Sequence, residues 1–140
     1  MNTIDFYCAM RTYNNIPRPD FTPERITSLR ADEVFVFGSN LAGMHGGGAA
    51  YAAYRKFGAV WGCGVGLQGQ SYAIPTMQGG VETIQPYVDQ FIGFVQAHPE
   101  LFFYVTRIGC GIAGFADAEI APLFAAARGI DNICLPESFA

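Results

Sequence analysis

One short segment constrains the fold more than any other part of this chain. Residues 34–37 form an unbroken apolar run, which is typical of a buried strand. The run stops at Gly38, and a glycine triplet at residues 46–48 then leads into an alanine- and tyrosine-rich stretch. Apolar residues in that stretch recur at helical spacing. The segment therefore predicts a strand, a glycine-rich loop and a helix in direct succession.

Such a junction is suited to binding a phosphate or diphosphate. Free backbone N–H groups and the positive end of the helix dipole converge at a helix N-terminus. Glycine lets the main chain approach a ligand closely. The spacing fits neither a P-loop nor a Rossmann fingerprint. The alternative is that the glycines serve only to pack the helix tightly against the sheet.

Strands and helices alternate along most of the remaining chain. We predict helices over residues 48–57, around 84–95 and after Asp117, and strands at 4–10, 71–75, 101–105 and 130–135. Residues 14–20 and 58–70, rich in proline, asparagine or glycine, are predicted to be loops. This alternation predicts one α/β domain over residues 1–140, with a largely parallel sheet covered on both faces.

A second glycine-rich segment, residues 106–115, also follows an apolar strand directly. Because ligands of such sheets bind beyond the carboxyl ends of the strands, we expect the two glycine loops to line one crevice. Their backbone amides are suited to a diphosphate. The predicted ligand-binding residues are Gly38, Ser39, Asn40, Gly46, Gly47, Gly48, Gly109, Cys110, Gly111, Ile112, Ala113, Gly114 and Phe115.

Composition limits the classes of partner. The formal net charge is −4, so a broad nucleic-acid interface is not expected, whereas a small anionic ligand held by backbone amides is. No apolar run is long enough for a membrane span, and no secretory signal is evident, which favours the cytoplasm. The four cysteines lack Cys-x-x-Cys spacing and are expected to be free thiols. Neither a metal site nor a cofactor is indicated.

The chain resembles the macro domain family. The resemblance lies in Gly-Ser-Asn and the glycine cluster after the first strand, and in Arg-Ile-Gly-Cys-Gly at residues 107–111 after a later one. Residues 26–136, and especially 66–76, are also similar to small phage-associated proteins with a macro-like fold. The resemblance implies a three-layer α/β/α fold that binds ADP-ribose, with a mixed, largely parallel sheet.

The family's motifs are matched unevenly. Asn40 matches the asparagine that orients the distal ribose, whereas Arg25 replaces the aspartate that holds adenine. The related glycohydrolase branch carries a lysine and an aspartate where this chain has Met77 and Ala113. The resemblance therefore implies binding of ADP-ribose or a related nucleotide diphosphate without turnover. The alternatives are a hydrolase of ADP-ribosyl bonds and a protein-interaction module with a vestigial pocket.

Several side chains have two possible roles. Asn40 can contact a ribose or close an Asx turn. Arg107 can pair with a phosphate, or with a carboxylate such as Asp117. Cys110 would need a nearby base to act as a nucleophile, and His45 is the histidine near a glycine loop. His45 itself could contact a phosphate or lie exposed on the surface. Of two aromatic residues that could stack on a ligand, Phe115 is the better candidate, and the other, Tyr72, is expected in the core.

Overall fold

The computed structural model describes residues 10–140. The strands are β1 (Met10–Tyr13), β2 (Ile16–Pro19), β3 (Glu33–Ser39), β4 (Gly66–Gln68), β5 (Ser71–Pro75), β6 (Phe102–Val105) and β7 (Ile133–Cys134). The α-helices are α1 (Gly48–Lys56), α2 (Val81–Ala97) and α3 (Asp117–Ile120), and 3-10 helices cover Ala121–Ala127 and Glu137–Phe139. The strand predicted at residues 4–10 lies outside the described residues except for Met10.

Five of the strands form one sheet in the order β4-β5-β3-β6-β7. The β3 strand pairs in parallel with β5 and β6, and β6 with β7, whereas β4 runs antiparallel to β5 at the edge. The predicted α/β class with a largely parallel sheet is confirmed. Ser39 pairs with Pro75 and Val36 with Val105, so the carboxyl ends of the three central strands lie at one edge of the sheet.

The central strand is apolar on both sides because both faces of the sheet are packed. Val34 and Val36 pack into the cluster that contains the buried side of α2 and the 3-10 helix Ala121–Ala127. Phe35 and Phe37 point to the other face and pack against α1. The period of two along β3 thus divides one unbroken apolar run between two cores. Within residues 10–140, every helix is too short or too polar to cross a membrane.

The prediction of a loop at residues 14–20 is wrong. This segment completes a β-hairpin, in which β1 and β2 pair antiparallel. Asn14 and Asn15 have φ angles of 52° and 63°, the positive values that a two-residue hairpin turn requires and that asparagine tolerates. The prolines of β2 are accommodated because this strand has one partner, so an N–H on its open side is not needed.

Smaller corrections concern three other segments. The predicted loop at 58–70 contains β4, which ends the sheet as a three-residue edge strand. The predicted third helix is α-helical for only four residues and continues as a 3-10 helix, although Ile120, Phe124 and Ala127 are all buried as expected. The last strand is confined to β7, two residues long.

A buried arginine fastens the hairpin to the sheet. Arg18 has no exposed surface, and its guanidinium donates to the carboxylates of Glu33 at 2.7 Å and Asp32 at 3.1 Å. It also lies over the ring of Phe102, 4.4 Å from the centroid. The Glu33 carboxylate accepts a further bond from the hydroxyl of Tyr104, so the buried charges are paired and hydrogen-bonded.

Candidate functional site

The two glycine loops meet at the carboxyl ends of the central strands, where they enclose a cleft of about 220 Å³. A β-carbon built on Gly47 would lie 3.3 Å from Cδ1 of Ile112, so the absence of a side chain at Gly47 leaves space between the two loops. The residues that line the cleft are Gly38, Ser39, Asn40, Met44, Gly47, Gly48, Ala49, Ala50, Thr76, Met77, Thr106, Arg107, Ile108, Gly109, Gly111, Ile112 and Ala113. The expected juxtaposition of the loops is therefore present.

Close approach of backbones at the strand ends forms the floor of the cleft. A β-carbon on Gly38 would lie 3.3 Å from both the backbone nitrogen of Gly109 and Oγ1 of Thr76, which is tighter than an ordinary contact. Ser39 is buried; its hydroxyl donates to the carbonyl of Gly64 at 2.5 Å, and its own carbonyl accepts the N–H of Thr76 at 2.9 Å. Glycine at position 38 thus allows three chain segments to converge.

Two sets of unpaired amides lie where the loops line the cleft. Within residues 10–140, no protein acceptor takes the backbone N–H groups of residues 47–50 or of residues 111–113. The first set begins α1, where helix geometry leaves the initial N–H groups without partners. The second set lies in an irregular loop. Seven donors from two distant parts of the chain therefore border one small cleft.

Asn40 shapes the first loop through its own side chain. Its Nδ2 donates to the carbonyl of Met44 at 3.1 Å, and its Oδ1 accepts the N–H of Met44 at 2.9 Å. Both polar atoms of the amide are thus used within the loop, which is the local-turn alternative for this residue. Asn40 nevertheless lines the cleft, so a ligand contact would compete with these bonds.

Arg107, Asp117 and Cys110 form a polar cluster beside the second loop. Arg107 donates to both carboxylate oxygens of Asp117, at 2.9 and 3.1 Å, although its side chain remains 60% exposed. Burial, followed by the hydrogen bond to Asp117 and its negative charge, raises the pKa of the Cys110 thiol to about 12. The same thiol, and then Arg107, lower the pKa of Asp117. Cys110 is therefore a protonated thiol at neutral pH and a poor nucleophile.

His45 is buried and lies outside the lining of the cleft, so the exposed position considered for it from the sequence is wrong. The ring is fully buried, and its Nε2 lies 2.9 Å from the carbonyl oxygen of Val60 and 3.0 Å from that of Cys63. It packs edge-on to Phe37 and Trp61, with ring centroids 5.3 and 6.3 Å away. His45 therefore ties the first glycine loop to the segment that precedes β4.

Some predicted ligand residues lie outside the cleft lining: Gly46, Cys110, Gly114 and Phe115. Phe115 is half-buried and packs against the core, as does Tyr72, which is 3% exposed. The lining residues absent from the predicted set are Met44, Ala49, Ala50, Thr76, Met77, Thr106, Arg107 and Ile108. Thr76 and Thr106 could have been inferred, because each directly follows a strand that ends at the same edge of the sheet.

Two larger hollows share lining residues with the cleft. One, of about 520 Å³, shares Gly48, Ala49 and Thr106 with it. The other, of about 810 Å³, shares Thr106 and Arg107 with it and includes Asp117. The cleft is thus the smallest of three hollows that share lining residues at this edge of the sheet.

Comparison with known proteins gives no match to a family model, to a curated protein or to a solved structure.

Proposed function

We propose that this chain is a macro-like α/β/α module that binds ADP-ribose or a related nucleotide diphosphate derivative in the cleft between its glycine loops. The proposal rests chiefly on the two sets of unpaired backbone amides, residues 47–50 and 111–113, that border the cleft. Amides at a helix N-terminus, joined by amides of a second loop, form a concave array of donors of the kind that binds diphosphates.

The charge distribution around the cleft is compatible with an anionic ligand. Among the described residues, Arg107 is the one charged side chain in the lining, although the chain as a whole carries a formal charge of −4. Acidic groups are therefore kept out of the lining itself. The small volume of the cleft, about 220 Å³, favours a chain-like phosphate group at this point, and we infer that the bulkier parts of the ligand occupy the larger adjoining hollows.

Binding without turnover is favoured over hydrolysis of ADP-ribosyl bonds. The two positions that match catalytic places of the glycohydrolase branch, Met77 and Ala113, both line the cleft but carry no acid, base or nucleophile. Of the carboxylates in the adjoining hollows, Asp117 is engaged by Arg107, and Glu24 lies outside the lining of the cleft itself. These features support a ligand-binding protein. We also propose the cytoplasm as its location.

Thermal denaturation in the presence of ADP-ribose tests the proposal. Ligand at one hundred times its dissociation constant adds about 2.7 kcal/mol to the free energy of unfolding. For 140 residues, an unfolding entropy of about 2.1 cal/mol/K per residue converts this into a rise in melting temperature of about 9 °C. Absence of a shift with ADP-ribose, NAD and AMP would count against the proposal and favour a protein-interaction module.

A matched pair of substitutions locates the site. Gly47 has φ −158°, which valine adopts readily, and its new side chain would extend towards Ile112 and close the cleft. We expect Gly47→Val to abolish the ADP-ribose shift while leaving the unliganded melting temperature nearly unchanged. The control is Gly46→Val, because Gly46 lies outside the lining and a β-carbon there meets no atom within 4 Å. Equal loss of binding in both variants would place the site elsewhere.

A further inference from the structure

We propose, on the basis of the function proposed above, that the bound nucleotide carries a phosphate monoester in addition to its diphosphate. This group, on the 2′- or 3′-hydroxyl of the ribose that carries the base, would lie between Arg25 and Lys56. The two residues line the 520 Å³ hollow that opens from the cleft. The ligand class is thus a nucleoside diphosphate derivative with an additional ribose phosphate.

The hollow and the cleft share lining residues at the beginning of helix α1. Gly48 and Ala49, at the beginning of the helix, belong to both, whereas Ala52 and Lys56 extend the wall of the hollow alone. From Gly48 to Lys56 the helix rises about 12 Å. Side chains on a helix lean towards its N-terminus, which is the end of α1 that borders the cleft. We therefore infer that a ligand group one ribose away from the diphosphate enters the hollow that Lys56 lines.

The two basic side chains are available for a ligand. Within residues 10–140, no carboxylate forms an ion pair with Arg25 or Lys56, in contrast to Arg18 and Arg107, which are both paired. Glu24 is the one acidic residue in the lining of the hollow, so positive charge is in excess there. In a chain with eight basic and twelve acidic residues, two unpaired cations in one hollow are a local reversal of the overall charge.

The chemistry of the pair fits a phosphate monoester. An arginine guanidinium can donate two parallel hydrogen bonds to phosphate oxygens, and a lysine ammonium adds a compact positive charge. The hydroxyl of Thr106, which the hollow shares with the cleft, already donates to the carbonyl of Val36 at 2.8 Å. The two cations are the positively charged groups in the lining, and positive charge distinguishes a phosphorylated ribose from an unphosphorylated one.

Calorimetric titration with matched nucleotides tests this inference. The pairs are ADP-ribose with ADP-ribose 2′-phosphate, and ADP with its 3′-phosphate. We expect one phosphorylated member to bind at least about tenfold more tightly than its partner, and we expect Arg25→Gln or Lys56→Gln to remove that preference. The control is Arg55→Gln. It removes one positive charge from the residue next to Lys56, whose side chain is exposed and lies outside the lining of the hollow.

The outcomes separate the inference from the function on which it rests. Equal affinity within both pairs would refute the second phosphate and leave the proposed function intact. A preference that survives both Arg25→Gln and Lys56→Gln, or that Arg55→Gln removes equally, would also refute it. If none of the four nucleotides binds, the proposed function itself fails, and the inference fails with it.

Discussion

Replacing His45 separates the contribution of its ring volume from that of its hydrogen bonds. The ring is fully buried between Phe37 and Trp61. In His45→Ala, this volume is lost, and large-to-small changes in a core cost about 2–4 kcal/mol of unfolding free energy. In His45→Leu, a side chain of similar size retains most of the packing, and only the imidazole hydrogen bonds are lost.

The hydrogen bonds of His45 are expected to matter less than its volume. The carbonyl of Val60 also accepts the N–H of Cys63 at 3.0 Å, and the carbonyl of Cys63 also accepts Nε2 of Gln68 at 2.9 Å. Each acceptor therefore keeps a donor when the imidazole is removed, so the net loss is about 1 kcal/mol. Leucine also eliminates the imidazole Nδ1, which is buried without a partner among the described residues.

Urea denaturation of the three proteins measures both contributions. We expect His45→Leu to lower the unfolding free energy by about 1 kcal/mol or less, and His45→Ala by about 2–4 kcal/mol. The slope against urea concentration should be equal in all three proteins, so that the midpoints report stability. If His45→Leu is as destabilised as His45→Ala, the hydrogen bonds hold the loop in place and the reasoning from volume is wrong.

Two further predictions concern the buried ion pair and the cysteine beside the second loop. In chemical denaturation, Arg18→Met should lower the free energy of unfolding by about 3–5 kcal/mol, because it leaves the Glu33 carboxylate buried without its cation. Adding Glu33→Gln should recover part of this loss. A double variant less stable than Arg18→Met alone would contradict this reasoning. With a pKa raised from 9.0 to about 12, Cys110 should have about a thousandfold less thiolate at pH 8 than an unperturbed thiol. Its alkylation rate, measured with the other cysteines replaced by serine, should therefore be correspondingly low and should rise in Asp117→Asn. Because the pKa of this thiol is higher in the folded than in the unfolded protein, its stabilising effect persists below pH 9 and is lost as the pH rises towards 12. Fast alkylation of Cys110 at pH 8 would contradict the raised pKa.

Local sequence patterns are sufficient to predict the strands and the helix that border the cleft. Each of these elements is specified by residues that are close together in the chain. Examples are the apolar run of β3, the apolar residues at helical spacing in α1 and the proline that ends β5. Where a pattern was ambiguous, prediction failed: two adjacent asparagines indicated a loop at residues 14–20, but they form the turn of a hairpin. Asparagine favours both structures, and the choice depends on whether the flanking segments find a partner.

The order of residues is enough to predict that two glycine-rich loops each follow an apolar strand and therefore lie at the same edge of a parallel sheet. Which side chains face the cleft depends instead on how the loops pack in the folded chain. His45 and Phe115 stand within or beside the glycine loops in the chain, yet one is buried in the core and the other packs against it. The physical reason is that loop side chains have no fixed periodicity, so their directions are set by packing against distant segments.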